Sequence, residues 1–211
     1  VYSIMIFMYG LIPNYGIVVV LFAILIKTVT YPLMAKQLRS SKKMQEINPL
    51  LNNIKNKYKN NPTVQQQKIA ALFQEHKINP LAGCLPMLIQ MPVLMSVFMV
   101  FRNTIEFRGE SFVFWISDLS AADTLFFVGE IPFNVLPFLM SASMYYTMQA
   151  GLANQPSGGD PAQEATQKMM KYIFPGMMFF LFYSFPSGLN LYYLCFNVMQ
   201  IAQQKIINKE A

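Results

Sequence analysis

Long apolar runs alternate with short polar segments along this chain, and the lengths of the runs set the first expectation. Residues 14–34, 84–102, 132–152, 169–185 and 189–207 form five blocks of nearly continuous apolar sequence, each close to the ~20 residues a helix needs to cross a bilayer. An all-α polytopic membrane protein with five transmembrane helices is predicted. The fourth block is short and holds Pro175-Gly176, a weak point in a regular helix. Residues 1–13 are apolar but too short to cross, and read as a helix lying along the outer interface. Between the last two blocks, Phe185-Pro186-Ser187-Gly188 is turn chemistry and predicts a tight helical hairpin.

The polar segment 35–83 has a period of its own. Ile47, Leu50, Leu51, Ile54 and Tyr58 recur three or four apart, as do Ile69, Leu72, Phe73 and His76, with a cap and an N1 proline between them at Asn61-Pro62. A folded antiparallel helical hairpin is predicted. The same segment carries Lys36, Arg39, Lys42, Lys43, Lys55, Lys57, Lys59, Lys68 and Lys77 against Glu46 and Glu75. The region after the second block instead pairs Arg102 and Arg108 with Glu106, Glu110, Asp118, Asp123 and Glu130. By the positive-inside rule, 35–83, the loop 153–168 and the tail 208–211 lie in the cytoplasm, while 103–131 and the N-terminus lie outside. Trp115 would suit the outer interface. The basic hairpin could draw ribosomal RNA, an acidic protein or anionic lipids, or could simply solvate itself and enforce topology.

Composition agrees with the run lengths: 54% of residues are hydrophobic and 12% charged, against about 25% charged in a soluble domain. The chain opens at Val1 without a basic region or a cleavage site, and reads as a fragment of a longer protein. Cys84 and Cys195 sit in apolar blocks with no His or Cys at ligand spacing, so they read as packing residues.

Lys27 breaks the first block. A lysine at the centre of a membrane helix costs roughly 2.5–3.5 kcal/mol and generally faces water or an internal partner. Snorkelling is the alternative, but the next cation, Lys36, lies nine residues on, about 13 Å along a helix, beyond a lysine's reach. Other polar residues join it. Tyr193, Asn197, Gln200 and Gln204 recur along one face of the last block, Gln90 lies between Pro86 and Pro92 in the second, and Thr28, Thr30 and Tyr31 flank Lys27. Such a stripe does not face lipid comfortably. Converging, these helices would enclose a hydrated depression open to the cytoplasm; interhelical hydrogen bonding is the plainer reading for Gln90 and Thr28. With no carboxylate in any block, Lys27 is expected to be unpaired and to border water.

Enzymatic constellations do not form. His76, the one histidine, belongs to the polar hairpin, the apolar blocks lack carboxylates, and Ser157-Gly158-Gly159 is followed by no phosphate-binding Lys-Ser/Thr. The chain reads as a non-enzyme without cofactor or metal.

The motif Asn79-Pro80-Leu81-Ala82-Gly83-Cys84-Leu85-Pro86-Met87-Leu88-Ile89-Gln90-Met91-Pro92 resembles the signature of the YidC/Oxa1/Alb3 membrane protein insertases. Phe185-Pro186-Ser187-Gly188-Leu189-Asn190-Leu191-Tyr192-Tyr193 is similar to that family's last hairpin, and Trp115-Ile116-Ser117-Asp118-Leu119-Ser120 to the segment after its second conserved span. The extent, from about Asn14 to Ile207, and the loop lengths favour the bacterial YidC branch. The resemblance implies an inner-membrane insertase and chaperone that passes nascent membrane proteins into the bilayer, alone or beside the Sec translocon. Its implied groove would use Lys27, Gln90, Tyr193, Asn197, Gln200 and Gln204, with Pro86 and Met91 on an apolar slide. The ribosome and the signal recognition particle receptor are implied partners, and the unit is expected to be monomeric. The family's groove cation is usually arginine, ahead of a motif matched here by Tyr31-Pro32-Leu33. Lysine keeps the charge and loses the guanidinium fork. Two rivals stand beside this reading. A secondary transporter would use Lys27 as an anion site but predicts paired repeats, and a holding chaperone would bind helices without moving them.

Overall fold

The computed structural model describes residues 1–78, 85–113, 115–152 and 161–210. The fold is mostly helical. Helix α1 (Tyr2–Leu11) leads into α2 (Tyr15–Glu46), α3 (Asn48–Lys57), α4 (Pro62–Glu75) and α5 (Leu85–Asn103). An antiparallel ribbon of β1 (Thr124–Val128) and β2 (Ile131–Asn134) follows, then α6 (Val135–Leu152), α7 (Pro161–Lys168), α8 (Phe174–Phe182) and α9 (Ser187–Glu210). The ribbon departs from the all-α expectation. Gly129, at φ +66, makes its turn, and Phe126 stacks on the cross-strand Phe133 at 4.8 Å.

Among the described residues one stretch, Tyr15–Met44, is long and apolar enough to cross a membrane by length and composition. Helix α2 has 32 residues, about 48 Å at 1.5 Å per residue, longer than the ~30 Å hydrocarbon core. The expected boundary at residue 34 is therefore not a break. Good helix formers dominate the stretch after Pro32, with only Ser40-Ser41 among them weaker, so the basic stretch up to Glu46 continues α2, and the hairpin proper is α3–α4.

That hairpin has a small core of its own: Ile47, Leu51, Leu72 and Ile78 are buried, with Met44, Ile54, Ile69 and Phe73 against them. Leu50 and His76 from the expected stripe point away and are exposed. Asn61 Oδ1 accepts the Val64 N–H at 3.3 Å, and Pro62 opens α4. Helix α4 ends in a Schellman motif. Ile78 N–H reaches Phe73 O at 2.9 Å and Lys77 N–H reaches Gln74 O at 3.1 Å, while Lys77 takes the left-handed φ of 52 that glycine ordinarily fills.

Helix α9 is the centre of the main core, with α2 and α6 packed along it and α5 near its start. Phe22 of α2 faces Tyr192 at 6.0 Å, Phe98 of α5 faces Phe185 at 5.2 Å, and Phe138 of α6 meets Phe179 of α8 at 4.6 Å. Gly188 lies in the first turn of α9 with the Phe101 ring directly against it, where a Cβ would collide. The glycine of the Phe185–Gly188 motif thus serves close packing, since it is already helical and the turn precedes it.

Residues 161–182 are helical apart from a widened π turn at Met169–Ile173, so the described part of the expected loop 153–168 is helix; 153–160 lie outside the described residues. Pro175 has no N–H for the Lys171 carbonyl, and the ladder shifts to Phe174 N–H on Met169 O just before it.

The segment between α5 and β1 is tied to α9. Ser187 N–H bonds Ala121 O at 2.7 Å, Gly188 N–H bonds Leu119 O at 3.0 Å, and Ser187 Oγ donates to Asp118 O at 2.7 Å, so the loop satisfies the first donors of α9. Asp118 Oδ1 holds the loop's shape by accepting from Ser120 N–H and Oγ at 2.7 and 2.8 Å. Trp115 is half-buried and turned inward, its Nε1 donating to Asp123 Oδ2 at 3.2 Å.

Candidate functional site

Lys27 is fully buried, at 0% exposure, between α2 and α9. Its Nζ donates to Gln200 Oε1 and stands 3.6 Å above the centroid of the Phe196 ring. Phe196 and Gln200 are four residues apart, one turn of α9, so ring and amide face the cation together. The same amide reaches Met34 of α2, with Nε2 3.3 Å from Sδ. One turn further, Gln203 Nε2 lies 3.5 Å from the Lys27 carbonyl oxygen. Lys27 is therefore held by hydrogen bonding and by a ring face, not by a counter-ion. The partners are an amide dipole and an aromatic face, neither carrying a compensating negative charge.

The polar stripe of α9 divides between its neighbours. Asn197 Nδ2 donates to Ser143 Oγ of α6 at 3.3 Å, whereas Gln200 turns to α2. Gln204 is 6% exposed, and among the described residues neither its Oε1 nor that of Gln203 has a hydrogen-bond partner. Tyr193 belongs to an aromatic group with Phe182 at 5.4 Å and Phe196 at 6.4 Å. Gln90 of α5 approaches the hydroxyls of Tyr192 and Tyr193, although its Nε2 lacks a partner of good geometry. Lys27, Gln200 and Gln203 thus form one polar cluster, with Gln204 buried one turn of α9 beyond Gln200, and Gln90 with Tyr193 form a second nearer the start of α9. On α5, Met91, Met95 and Met99 present an exposed stripe, at 53%, 56% and 46%. The Pro86 side chain and Asn79 to Cys84 of the signature lie outside the described residues.

Sequence reasoning missed Phe196, Ser143 and Met34 as members of the site. For Phe196 a signal existed, since an aromatic one turn before Gln200 shares its face. Ser143 and Met34 carried none, because only the packing of α6 and α2 on α9 brings them there.

A helical membrane protein with a buried cation facing amides is the class these features define. The chain belongs to the family described as 60Kd inner membrane protein, which matches residues 7–211. Similar curated proteins include "Membrane protein insertase YidC" of Pelodictyon phaeoclathratiforme, 41% identical over 208 residues that cover 96% of this chain and 34% of the relative. The protein of that name from Chloroherpeton thalassium is 41% identical over 207 residues, covering 94% of this chain and 33% of the relative. That of Endomicrobium trichonymphae is 36% identical over 209 residues, covering 99% and 39%. Among solved structures, "Active YidC insertase crystal structure with the first transmembrane domain resolved" superposes with a TM-score of 0.68 at 31% identity, over 95% of this chain and 44% of that one. The chain spans about a third of the length of the first two curated relatives.

Proposed function

We propose that this chain is the membrane-embedded part of an insertase that receives nascent membrane proteins and delivers their helices to the bilayer of the bacterial inner membrane. The observation that carries the reading is the buried Lys27, seated on Gln200 and Phe196, in a chain whose relatives bear the insertase name. A cation held by neutral groups keeps an attractive field for acidic residues of a substrate tail, and an amide can yield its place to a carboxylate. The unpartnered acceptors of Gln203 and Gln204 give the same region further capacity for polar guests. The exposed methionines of α5 offer an adaptable apolar surface to the emerging helix.

In this reading α2, α5, α6, the stretch 169–185 that contains α8, and α9 are the five spans, the α3–α4 hairpin is cytoplasmic, and the segment 103–131 lies outside with α1 on the outer interface. Polar side chains let a short hydrophilic tail cross without meeting bare hydrocarbon, which lowers the barrier of transfer. Substrate hydrophobicity drives the step, and no bond is made or broken by the protein. The ribosome, the Sec translocon, the signal recognition particle receptor and anionic lipids are the proposed partners of a monomeric unit. Site-specific photo-cross-linking from positions 27, 193 and 200 to a stalled single-span nascent chain tests the route. Cross-links at these positions and none at the exposed Phe180 are expected. Insertion without cross-links at the first three would refute passage through the cluster.

A further inference from the structure

Strand β1 of the ribbon exposes apolar side chains on both of its faces. Leu125, Phe126, Phe127 and Val128 are exposed at 49%, 48%, 67% and 62%, and because side chains alternate along a strand these residues lie on both faces of the ribbon. A two-stranded ribbon is marginally stable in water on its own, and one apolar on both faces is less suited still. Its base is nevertheless firmly held. Thr124 Oγ1 donates to Asn134 Oδ1 at 2.8 Å, Asn134 Nδ2 to Tyr183 O at 2.7 Å, and the Tyr183 hydroxyl to Pro132 O. The ribbon is thereby fixed to the end of α8.

Its apolar surface does not stop at the base. Phe126 stacks on Phe133, Phe133 on Phe138 of α6 at 5.2 Å, and Phe138 packs on Phe179 of α8. From there the exposed surface runs on through Leu139 at 44% and Phe180 at 78%. The ribbon thus prolongs the apolar face that α6 and α8 present to lipid, and this inference rests on the membrane reading given above. Two further features set its depth. The outer edges of a two-stranded ribbon carry unpaired backbone groups, which hydrocarbon does not tolerate, and the exposed Glu130 follows Gly129 at the turn.

We infer that the β1–β2 ribbon seats in the headgroup–acyl boundary of the outer leaflet, beside α6 and α8, and fixes the height of the outer loop in the membrane. That loop supplies the carbonyls that cap α9, so the seat also holds the outer end of α9.

The test uses the full chain in vesicles of phosphatidylethanolamine and phosphatidylglycerol, with Cys84 and Cys195 replaced by Ser. An environment-sensitive fluorophore is attached to Phe127→Cys, to Leu125→Cys as a second reporter should the first disturb the turn, and to Ser111→Cys as an exposed loop control. Blue-shifted emission at 127 and 125 is expected, quenched more by bromines near the glycerol end of the acyl chains than by bromines near their termini, with no quenching at 111. Emission at 125 and 127 matching that at 111 would overturn the inference, as would strongest quenching by terminal bromines. Protection that arises only after a second membrane protein is added would assign the ribbon to a protein partner instead. Nascent-chain insertion assayed in the same vesicles reports separately on the insertase reading: quenching without insertion sinks that reading alone, and insertion without quenching sinks this one alone.

Discussion

A double-mutant cycle on Lys27 and Gln200 probes the centre of the site. In Gln200→Leu the buried ammonium loses its amide acceptor and keeps only the Phe196 face; a hydrogen bond to a charged group is worth about 1.5–3 kcal/mol, and stability should fall by that amount. Lys27→Met has two opposed effects. It removes a cation whose placement at a helix centre costs roughly 2.5–3.5 kcal/mol, and it leaves Gln200 Oε1 buried without a donor at about 1–3 kcal/mol. The net change should be near zero. In the double variant both orphaned groups are gone, so it should be at least as stable as either single variant, with a coupling energy of about 1.5–3 kcal/mol. Unfolding in mixed micelles, followed by hydrogen exchange of α2 and α9, measures the four stabilities. Additivity within ~0.5 kcal/mol would refute the coupling. Insertion assayed on the same proteins should fall for Lys27→Met despite its unimpaired stability, which separates the charge's role in function from its role in the fold.

Asp123 should make the loop between α5 and β1 sensitive to pH. Burial raises its carboxyl above the ordinary 3.8, outweighing the hydrogen bonds from Leu136 N–H and Trp115; the folded state therefore holds the proton more tightly than the unfolded one, and the stabilisation is complete below 3.8 and lost as pH rises through the folded value. Melts followed by Trp115 fluorescence should show stability increasing on acidification across that window, and Asp123→Asn should flatten the dependence. Lys77→Gly relieves a left-handed residue and should stabilise the α3–α4 hairpin by about 1 kcal/mol, read as slower exchange of the Leu72 and Phe73 amides; unchanged exchange would mean that the turn carries no strain. Gly188→Ala drives a methyl into the Phe101 ring and should cost about 1–3 kcal/mol, measured as a lower Tm in detergent.

Local chemistry wrote much of this protein directly. Apolar block lengths specify helices where α2, α5, α6, α8 and α9 lie, because a chain with so few polar side chains must satisfy its backbone internally. Asn61-Pro62 starts α4 by a side-chain bond within three residues, and such signals survive any tertiary context. Lys27 was conspicuous for a comparable reason, since one charge in an apolar run has an energetic cost wherever the helix packs. Other features needed partners from distant parts of the chain. The β ribbon depends on the anchoring of Asn134 to Tyr183, and the need for glycine at 188 on a ring from α5. Periodicity collected Tyr193, Asn197, Gln200 and Gln204 on one face, yet it could not say that Asn197 would turn to Ser143 while Gln200 turned to Lys27. A helix carries its own hydrogen bonds and its own face, so the sequence determined both. What each side chain on that face touches depends on neighbours that converge only when the bundle closes, and the tertiary structure alone decided that Lys27 would rest on an amide and an aromatic ring.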